Sequence, residues 1–367
     1  MIIIFASVIS VLFALLHLAI YQAFVSIFAP SITLKIVVIF ALVVFGGSFL
    51  LSSGLSFFSD NFFVQIYYTL SAYWISLASY LFIASALYGL VHLIFRYLRP
   101  EASLSWFGII LFALAIIATV YGLIHARSLY VKNVDINLPQ LPQEWQGKKA
   151  VWISDIHLGA VYGKDFSDKI VSKINEINPD IVFVGGDLYD GVKVDEQDII
   201  KPLAELHASL GTFFITGNHE EFRDDSLFLK AVRDVGMRVL NNEMVNVSGL
   251  QIIGVDDRDS LSAVKFGGIL KSFNIDASKP SILLKHQPSG LDIAEKAGIS
   301  FQISGHTHKA QFFPLNIFTH LIFKGYDYGL NKWGNMLEFT SSGVGTWGPP
   351  MRVGSDSEIV VFHFKAK

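Results

Sequence analysis

The chain has 367 residues, 52% of them hydrophobic, with a mean hydropathy of +0.48 and only 16% charged side chains. A net charge of −3 without a basic tract excludes nucleic-acid binding, which rests on clustered Lys and Arg neutralising phosphates. The absence of cysteine excludes disulfides, thiolate metal sites and cysteine nucleophiles, and leaves the compartment open.

The apolar excess lies at the front. From Met1 to Phe95 the only charged side chains are Lys35 and Asp60, whereas charges are frequent after Lys132. Four apolar segments, about Ile2–Phe28, Ile32–Phe57, Phe63–Phe95 and Leu104–Ile124, each reach the roughly 20 residues that span a bilayer. Pro30, the Ser52-Ser53-Gly54 to Asp60-Asn61 stretch, and Arg96, Arg99 and Pro100 separate them. Tyr67, Tyr68, Tyr73, Trp74, Tyr97 and Trp106 suit interfacial belts. The first segment lacks a basic n-region and exceeds an h-region in length, which predicts a retained helix. Residues 1–128 are thus expected as an all-α domain of four transmembrane helices, in a multi-pass cell-membrane protein. Lys35, Arg96 and Arg99 fall on the side opposite the C-terminal domain, and Arg127 and Lys132 on its own side. That excess of one charge favours an extracytoplasmic domain. His17, His92 and His125 lie on or beside these helices and are expected to have no acidic partners, which favours interhelical hydrogen bonds over metal ligation.

Residues 129–147, with Leu138-Pro139-Gln140-Leu141-Pro142, read as a short extended linker, because two prolines deny a helix. Residues 148–367 alternate strand and helix signals. Val151–Ile153, Ile181–Val184, Phe213–Ile215 and Ile282–Leu284 are short apolar runs that read as strands. Phe166–Asn178, Asp224–Val235 and Leu291–Ala297 carry helical spacing, stopped by Pro179, Gly236 and Gly298. Leu250–Val255, Phe318–Phe323, Met336–Thr340 and Ile359–Phe364 are expected as further strands. The pattern predicts an α/β fold with a mixed sheet pair.

Five motifs occur in order, most of them directly after those runs: Asp155-x-His157, Gly186-Asp187-x-x-Asp190, Gly217-Asn218-His219, His286 and Gly305-His306-x-His308. In open α/β sheets ligands gather at the carboxyl ends of strands, so these residues are expected in one crevice. Acids, imidazoles and one amide, without sulfur, are the mix that two neighbouring divalent ions (Mn, Fe or Zn) require. Gly186 lets the backbone approach a metal closely, and Asp187 can bridge two ions through its two oxygens. Asn218 and His219 are adjacent and cannot easily bind the same ion, so His219 is expected to face substrate. Singly, each motif has a plainer reading: Gly217–Glu220 as a turn capping a helix, Gly305–His308 as a surface loop. Their succession at strand ends argues for a site. His207, His320 and His363 lie inside ordinary runs and read as structural.

The order of these motifs resembles the calcineurin-like metallophosphoesterases over roughly Leu138 to Phe364, and looks closest to their membrane-associated bacterial branch. The entry Leu138-Pro-x-Leu-Pro fits that branch, as does the closing Gly343-Val344-Gly345-Thr346 to Pro349-Pro350-Met351-Arg352 with Glu358. The resemblance implies a four-layer αββα sandwich, two mixed sheets flanked by helices. It implies one metal held by Asp155, His157, Asp187 and His308, and a second by Asp187, Asn218, His286 and His306. It further implies that His219 protonates the leaving oxygen and that Asp190 orients His219 through a carboxylate–imidazole hydrogen bond. Related members often follow Gly-His-x-His with glycines before a Gln, whereas Lys309 and Ala310 precede Gln311 here. A cation beside the site could alter substrate choice, or be a solvated loop charge.

The expected activity is hydrolysis of a phosphoester or pyrophosphate by a metal-bridging hydroxide, with Asn218 also holding the phosphoryl group and His219 acting as general acid. Four spans exceed what tethering needs, which favours a lipid-linked substrate, by resemblance to the UDP-diacylglucosamine pyrophosphatases. Two alternatives are an anchored phosphodiesterase acting on soluble phosphodiesters and a non-catalytic metal-binding sensor or scaffold. A transporter lacks support, since the spans carry neither buried charge nor internal symmetry. The sequence does not specify the oligomeric state.

Overall fold

The computed structural model of the protein describes residues 2–222 and 224–366. The chain divides into two compact units, residues 1–124 with 348–351 and residues 125–347 with 352–367.

The first unit is helical: α1 (Ile2–Phe28), α2 (Ile32–Gly46), α3 (Ser48–Ser56), α4 (Phe62–Leu98) and α5 (Ser105–His125). Four stretches, Ser7–Phe28, Ile32–Ser56, Phe62–Leu98 and Ser105–His125, are long and apolar enough to cross a membrane. The segment expected as one helix from Ile32 breaks at Gly46-Gly47, where two poor helix formers adjoin. Caps set the entries: Ser31 Oγ accepts from Leu34 N–H at 3.3 Å and Asn61 Oδ1 from Val64 N–H at 3.0 Å. Between helices small side chains allow close approach, and Ala72 and Ala78 are wholly buried on α4. Hydroxyls bridge helices at Ser52–Ser71 (2.6 Å) and Ser26–Tyr88 (2.9 Å). His17 forms an interhelical bond, its Nε2 accepting from Trp74 Nε1–H at 3.0 Å while Nδ1 donates to Phe13 O. His92 stacks on Tyr88 of its own helix.

The second unit begins with β1 (Leu129–Leu138), β2 (Lys149–Ile153), α6 (Lys164–Ile177), β3 (Ile181–Val184), α7 (Glu196–Ile200), β4 (Thr212–Phe214), α8 (Ser226–Asp234) and β5 (Arg238–Val239). There follow β6 (Glu243–Val247), β7 (Leu250–Gly254), α9 (Asp257–Ser260), α10 (Ala263–Ser272), β8 (Ser281–Leu284) and α11 (Leu291–Lys296). The last elements are β9 (Phe301–Ser304), α12 (Leu315–Ile322), β10 (Gly329–Trp333), β11 (Met336–Thr340) and β12 (Ser357–Ala366). Two six-stranded mixed sheets run in the orders β1-β12-β2-β3-β4-β5 and β10-β11-β9-β8-β7-β6.

Strand alternation builds the layers. Trp152 and Phe183 of one sheet meet Ile282, Leu284 and Phe301 of the other in a shared interior. Their neighbours Val151, Ile153, Val182 and Val184 face α6 and α8 on the outside, while Ile253 and Leu283 face α10 and α11. Each fully buried large side chain contributes roughly 1.5–3 kcal/mol, so both faces of both sheets are driven inward. The result is the αββα sandwich of two mixed sheets, with four apolar helices preceding it in the chain.

Two expectations are corrected. The stretch expected as an extended linker from residue 129 contains β1, a ten-residue strand paired in parallel with β12 from Leu129↔Ser357 to Leu138↔Ala366. Leu138 and Ile136 point into the inter-sheet core, and Trp145 is fully buried beyond them. Phe318–Phe323, expected as a strand, falls largely within α12. Its polar residues Asn316, Thr319 and His320 recur at helical rather than alternating spacing. The strands β5, β6, β9 and β10 and the helices α7, α9 and α10 were not anticipated.

Candidate metal centre

The expected site residues sit in loops at the carboxyl ends of β2, β3 and β4 in one sheet and β8 and β9 in the other. Asp155, His157 and His308 bring ligand atoms within 4.8 Å of one another, as do Asp187, His286 and His306. His157, Asp187 and His219 form a third such group. Asp187 lies between the first two: its Oδ2 is 3.1 Å from His286 Nε2 and 3.8 Å from His157 Nε2. His308 Nε2 is 3.5 Å from Asp155 Oδ1 and 3.0 Å from His157 Nε2.

Sharp loops produce this convergence. Asp155, His157, Asp187, His306 and His308 all have φ between 49° and 68°, the left-handed region that costs a side chain of order 1–3 kcal/mol. Gly186, at φ 86°, lets two loops touch, since a Cβ there would lie 2.5 Å from Gly217 N. Backbone bonds tie the loops together, with Asp155 N–H donating to Gly186 O and His157 N–H to Asp187 O, each at 3.0 Å. Asp155 is aimed by Ser154 Oγ–H at 2.5 Å and His306 N–H at 2.9 Å.

Imidazole orientation follows from the carbonyls. His286 Nδ1 donates to Gly185 O at 2.8 Å, which turns its Nε2 into the site toward Asp187. His219 Nδ1 likewise donates to the backbone carbonyl of Asp190 at 3.0 Å. This corrects the expected carboxylate–imidazole bond. The Asp190 carboxylate faces His157 instead, with Oδ1 3.5 Å from Nδ1. Asp187 also fixes the next loop by accepting from His219 N–H at 2.9 Å.

Burial opposes charge throughout, and the neighbours decide each group. For Asp187 the burial penalty is outweighed by the His286 and His219 imidazoles, which hold its carboxyl well below the usual range. His286 is correspondingly held well above its ordinary value, Asp187 overcoming burial. Burial, reinforced by His286, pushes His306 down to about 3, and burial with His157 pushes His308 well below normal. Those two are neutral imidazoles with lone pairs ready for a cation.

The donor set of carboxylate oxygens and imidazole nitrogens fits divalent transition ions. Asn218 Oδ1, buried with no hydrogen-bond partner, is an acceptor that such an ion would satisfy. The residues present fit the group.

Several side chains serve the site in roles that the sequence did not assign. Glu220 is wholly buried and accepts from Asp187 N–H (2.9 Å), Gly217 N–H (2.8 Å) and Tyr189 N–H (3.0 Å), clamping two ligand loops. Burial and then Asp187 push its carboxyl up to about 7, against the Tyr189 and Gly217 donors. Arg352, also fully buried, donates to the carbonyls of Ser342 (2.6 Å), Gly343 (3.1 Å) and Gly345 (2.6 Å) and to His308 O (3.4 Å). Glu358 accepts from Ser341 Oγ–H, Ser342 N–H and Tyr328 O–H. Trp347 and Phe222, each 51% exposed, border the His219 ring at centroid distances of 5.6 and 4.4 Å. Lys309 is not a freely solvated charge: its Nζ lies 4.2 Å above the Tyr328 ring. Away from the centre, His125 does have an acidic partner, Asp356 Oδ1 at 3.0 Å, and His320 pairs with Asp327 at 2.8 Å.

Residues 148–310 match the family model described as calcineurin-like phosphoesterase. An uncharacterized metallophosphoesterase of Campylobacter jejuni is 33% identical over 268 residues, covering 70% of this chain and 71% of the relative. The chain belongs to the calcineurin-like metallophosphoesterases. A metallophosphoesterase of Aquifex aeolicus is 34% identical over 260 residues, covering 69% of this chain and 98% of its own. A transmembrane protein with metallophosphoesterase domain from Danio rerio is 30% identical over 355 residues, covering 90% of this chain and 81% of the relative. This member of the family is a metal-dependent phosphoesterase, and with its four apolar spans it is a membrane protein.

Proposed function

We propose that the chain is a membrane-bound dinuclear-metal phosphohydrolase acting on a lipid-linked phosphoester or pyrophosphate. The observation that carries the dinuclear reading is Asp187, whose carboxylate lies between two groups of donors. Asp155, His157, Asp187 and His308 would hold one ion, and Asp187, Asn218, His286 and His306 the other. Ions bound there would supply Lewis acidity toward phosphoryl oxygens and lower the pKa of an attacking water.

The chain's own residues do the rest. Glu220 and Arg352 hold the ligand loops by their backbones, which keeps the donors in place before substrate arrives. Asn218 is suited to hold the phosphoryl group as well as an ion. His219, fixed by the Asp190 carbonyl, presents Nε2 to substrate. Burial lowers its basicity in the free protein, and the negative charge of a bound phosphoester raises it again. His219 therefore takes up its proton with substrate and passes it to the leaving oxygen. The exposed rings of Trp347 and Phe222 flank that position and favour an apolar leaving group.

Metal-dependent hydrolysis of an aryl phosphate ester by the full chain tests the chemistry. Asp187→Asn should abolish turnover, whereas His219→Ala should slow substrates with poor leaving groups most. Full activity in Asp187→Asn would sink the dinuclear reading. Turnover of bilayer-embedded against water-soluble phosphoesters in detergent tests the substrate class; preference for the soluble ones would favour an anchored phosphodiesterase. The charge asymmetry around the spans supports an extracytoplasmic domain, which a reporter fused after Lys367 would check.

A further inference from the structure

The helix α12 is inside out. Its polar side chains Asn316, Thr319 and His320 lie on one face, and Ile317, Phe318, Leu321 and Ile322 occupy the other. His320 anchors the polar face to the domain through Asp327, beside a pocket of about 400 Å³ lined by Lys309, Asn316 and Tyr328, with Ile317 and Leu321 at its edge. The apolar face is largely exposed: Phe318 is 61% exposed, Leu321 69% and Ile322 71%. None of the residues of α12 is buried. A water-facing surface of this kind marks an interaction site.

We propose that α12 docks on the lipid bilayer, dipping its apolar face into the headgroup–acyl boundary beside the metal centre. Three observations choose lipid as the occupant. The chain already carries four spans, and only Ala126–Ser128 separate the last of them from β1 in sequence, so a bilayer is always at hand. The apolar side chains are Phe, Leu and Ile, the residues that interfacial helices bury. Lys324, exposed at the carboxyl end of α12, and Lys309, in the pocket behind it, complement phosphate headgroups. Through the sequence His306-x-His308-Lys309, the same loop that supplies two metal-type imidazoles leads into α12, so docking would bring a lipid phosphate toward the centre. The docking claim stands on α12 alone, and only its link to substrate rests on the lipid-linked reading above.

The chain has no native cysteine, so a single label can be placed at will. The full chain carrying Phe318→Cys or Leu321→Cys, labelled with an environment-sensitive fluorophore, is reconstituted in nanodiscs of plain or acyl-brominated anionic phospholipid. Val264→Cys, at an 86% exposed position on α10, is the control. Brominated lipid should remove about half or more of the fluorescence at positions 318 and 321, given an insertion depth of roughly 5–10 Å, and leave 264 unchanged. Quenching at 318 and 321 no greater than at 264 overturns the proposal. Label-to-label transfer between copies without lipid quenching also overturns it, and assigns the face to a second copy of this chain. In a second arm, Phe318→Asn with Ile322→Asn should keep aryl phosphate turnover and raise KM for a bilayer-embedded phosphoester about tenfold, with kcat unchanged. Lipid quenching in a wild-type chain that cleaves only soluble esters would leave docking standing and remove the lipid-substrate reading.

Discussion

The assignment of Asp190 shows how much a single atom decides. The family resemblance pairs the Asp190 carboxylate with His219, but the contact runs through the main-chain carbonyl, while the carboxylate faces His157 Nδ1 at 3.5 Å. A carboxylate behind an imidazole that would bind metal through Nε2 strengthens the ligand and fixes its ring. The two arrangements make opposite forecasts for Asp190→Asn. With the carbonyl retained, His219 keeps its orientation, and the variant should lose about 10–100-fold in metal affinity. Excess metal should then restore turnover with the wild-type dependence on leaving group. Titrating activity against metal for a good and a poor aryl leaving group checks this. A selective loss of the poor leaving group at saturating metal would show instead that the side chain acts on His219. Glu220 and Arg352 teach the same lesson: their partners are backbone groups, of the distant Asp187 and Tyr189 for Glu220 and of the nearby Ser342 and Gly345 and the distant His308 for Arg352, which no side-chain motif displays.

At the scale of elements, what was legible depended on where a segment's partners lie. The parallel strands β2, β3 and β8 are buried on both faces, so each reads as an unbroken apolar run, and the ligands follow at their ends. By contrast β1 alternates polar and apolar residues along one edge of its sheet, and the prolines after Leu138 drew it into a linker. The short run in α12 satisfied either periodicity, and only its exposed setting explains why so much of it is apolar. On β11, Glu338 is wholly buried, with Thr340 Oγ1–H and Asn331 Nδ2–H (3.2 Å) donating to it. Burial pushes its carboxyl up to about 7, so the folded domain binds this proton more tightly than the unfolded chain does. The stabilisation is therefore full below the unfolded value near pH 4.5 and is lost as pH rises through about 7, amounting to on the order of 3 kcal/mol. Glu338→Gln should match wild type at low pH and melt higher above pH 8. Thermal unfolding of the full chain between pH 5 and 8.5 measures this, and parallel wild-type and variant profiles would refute it.

For the molecule as a whole, the metal-type cluster is a concentration of buried charge joining the loops of two sheets. Asp155 and Asp187 are buried together, and the loops that carry them hold left-handed backbone at a cost. Such a centre is most stable when cations complete it, because whatever binds only the folded state adds to its stability. An ion at about one hundred times its dissociation constant adds about 2.7 kcal/mol. For a domain of this size that corresponds to a rise of roughly 5–10 °C in Tm. Since residues 125–347 and 352–367 form a compact unit distinct from the helices, the shift should fall on that unit alone. Chelator added to the detergent-solubilised chain should lower the calorimetric transition of the sandwich, and Mn, Fe or Zn should restore it, while the transition of the helical unit stays put. In Asp187→Asn the metal-dependent part of the shift should vanish, because the shared carboxylate is gone. Equal transitions with and without chelator in the wild-type chain would mean that these loops hold their shape unaided, and that the cluster is a network of histidine–carboxylate pairs with no ion to complete it.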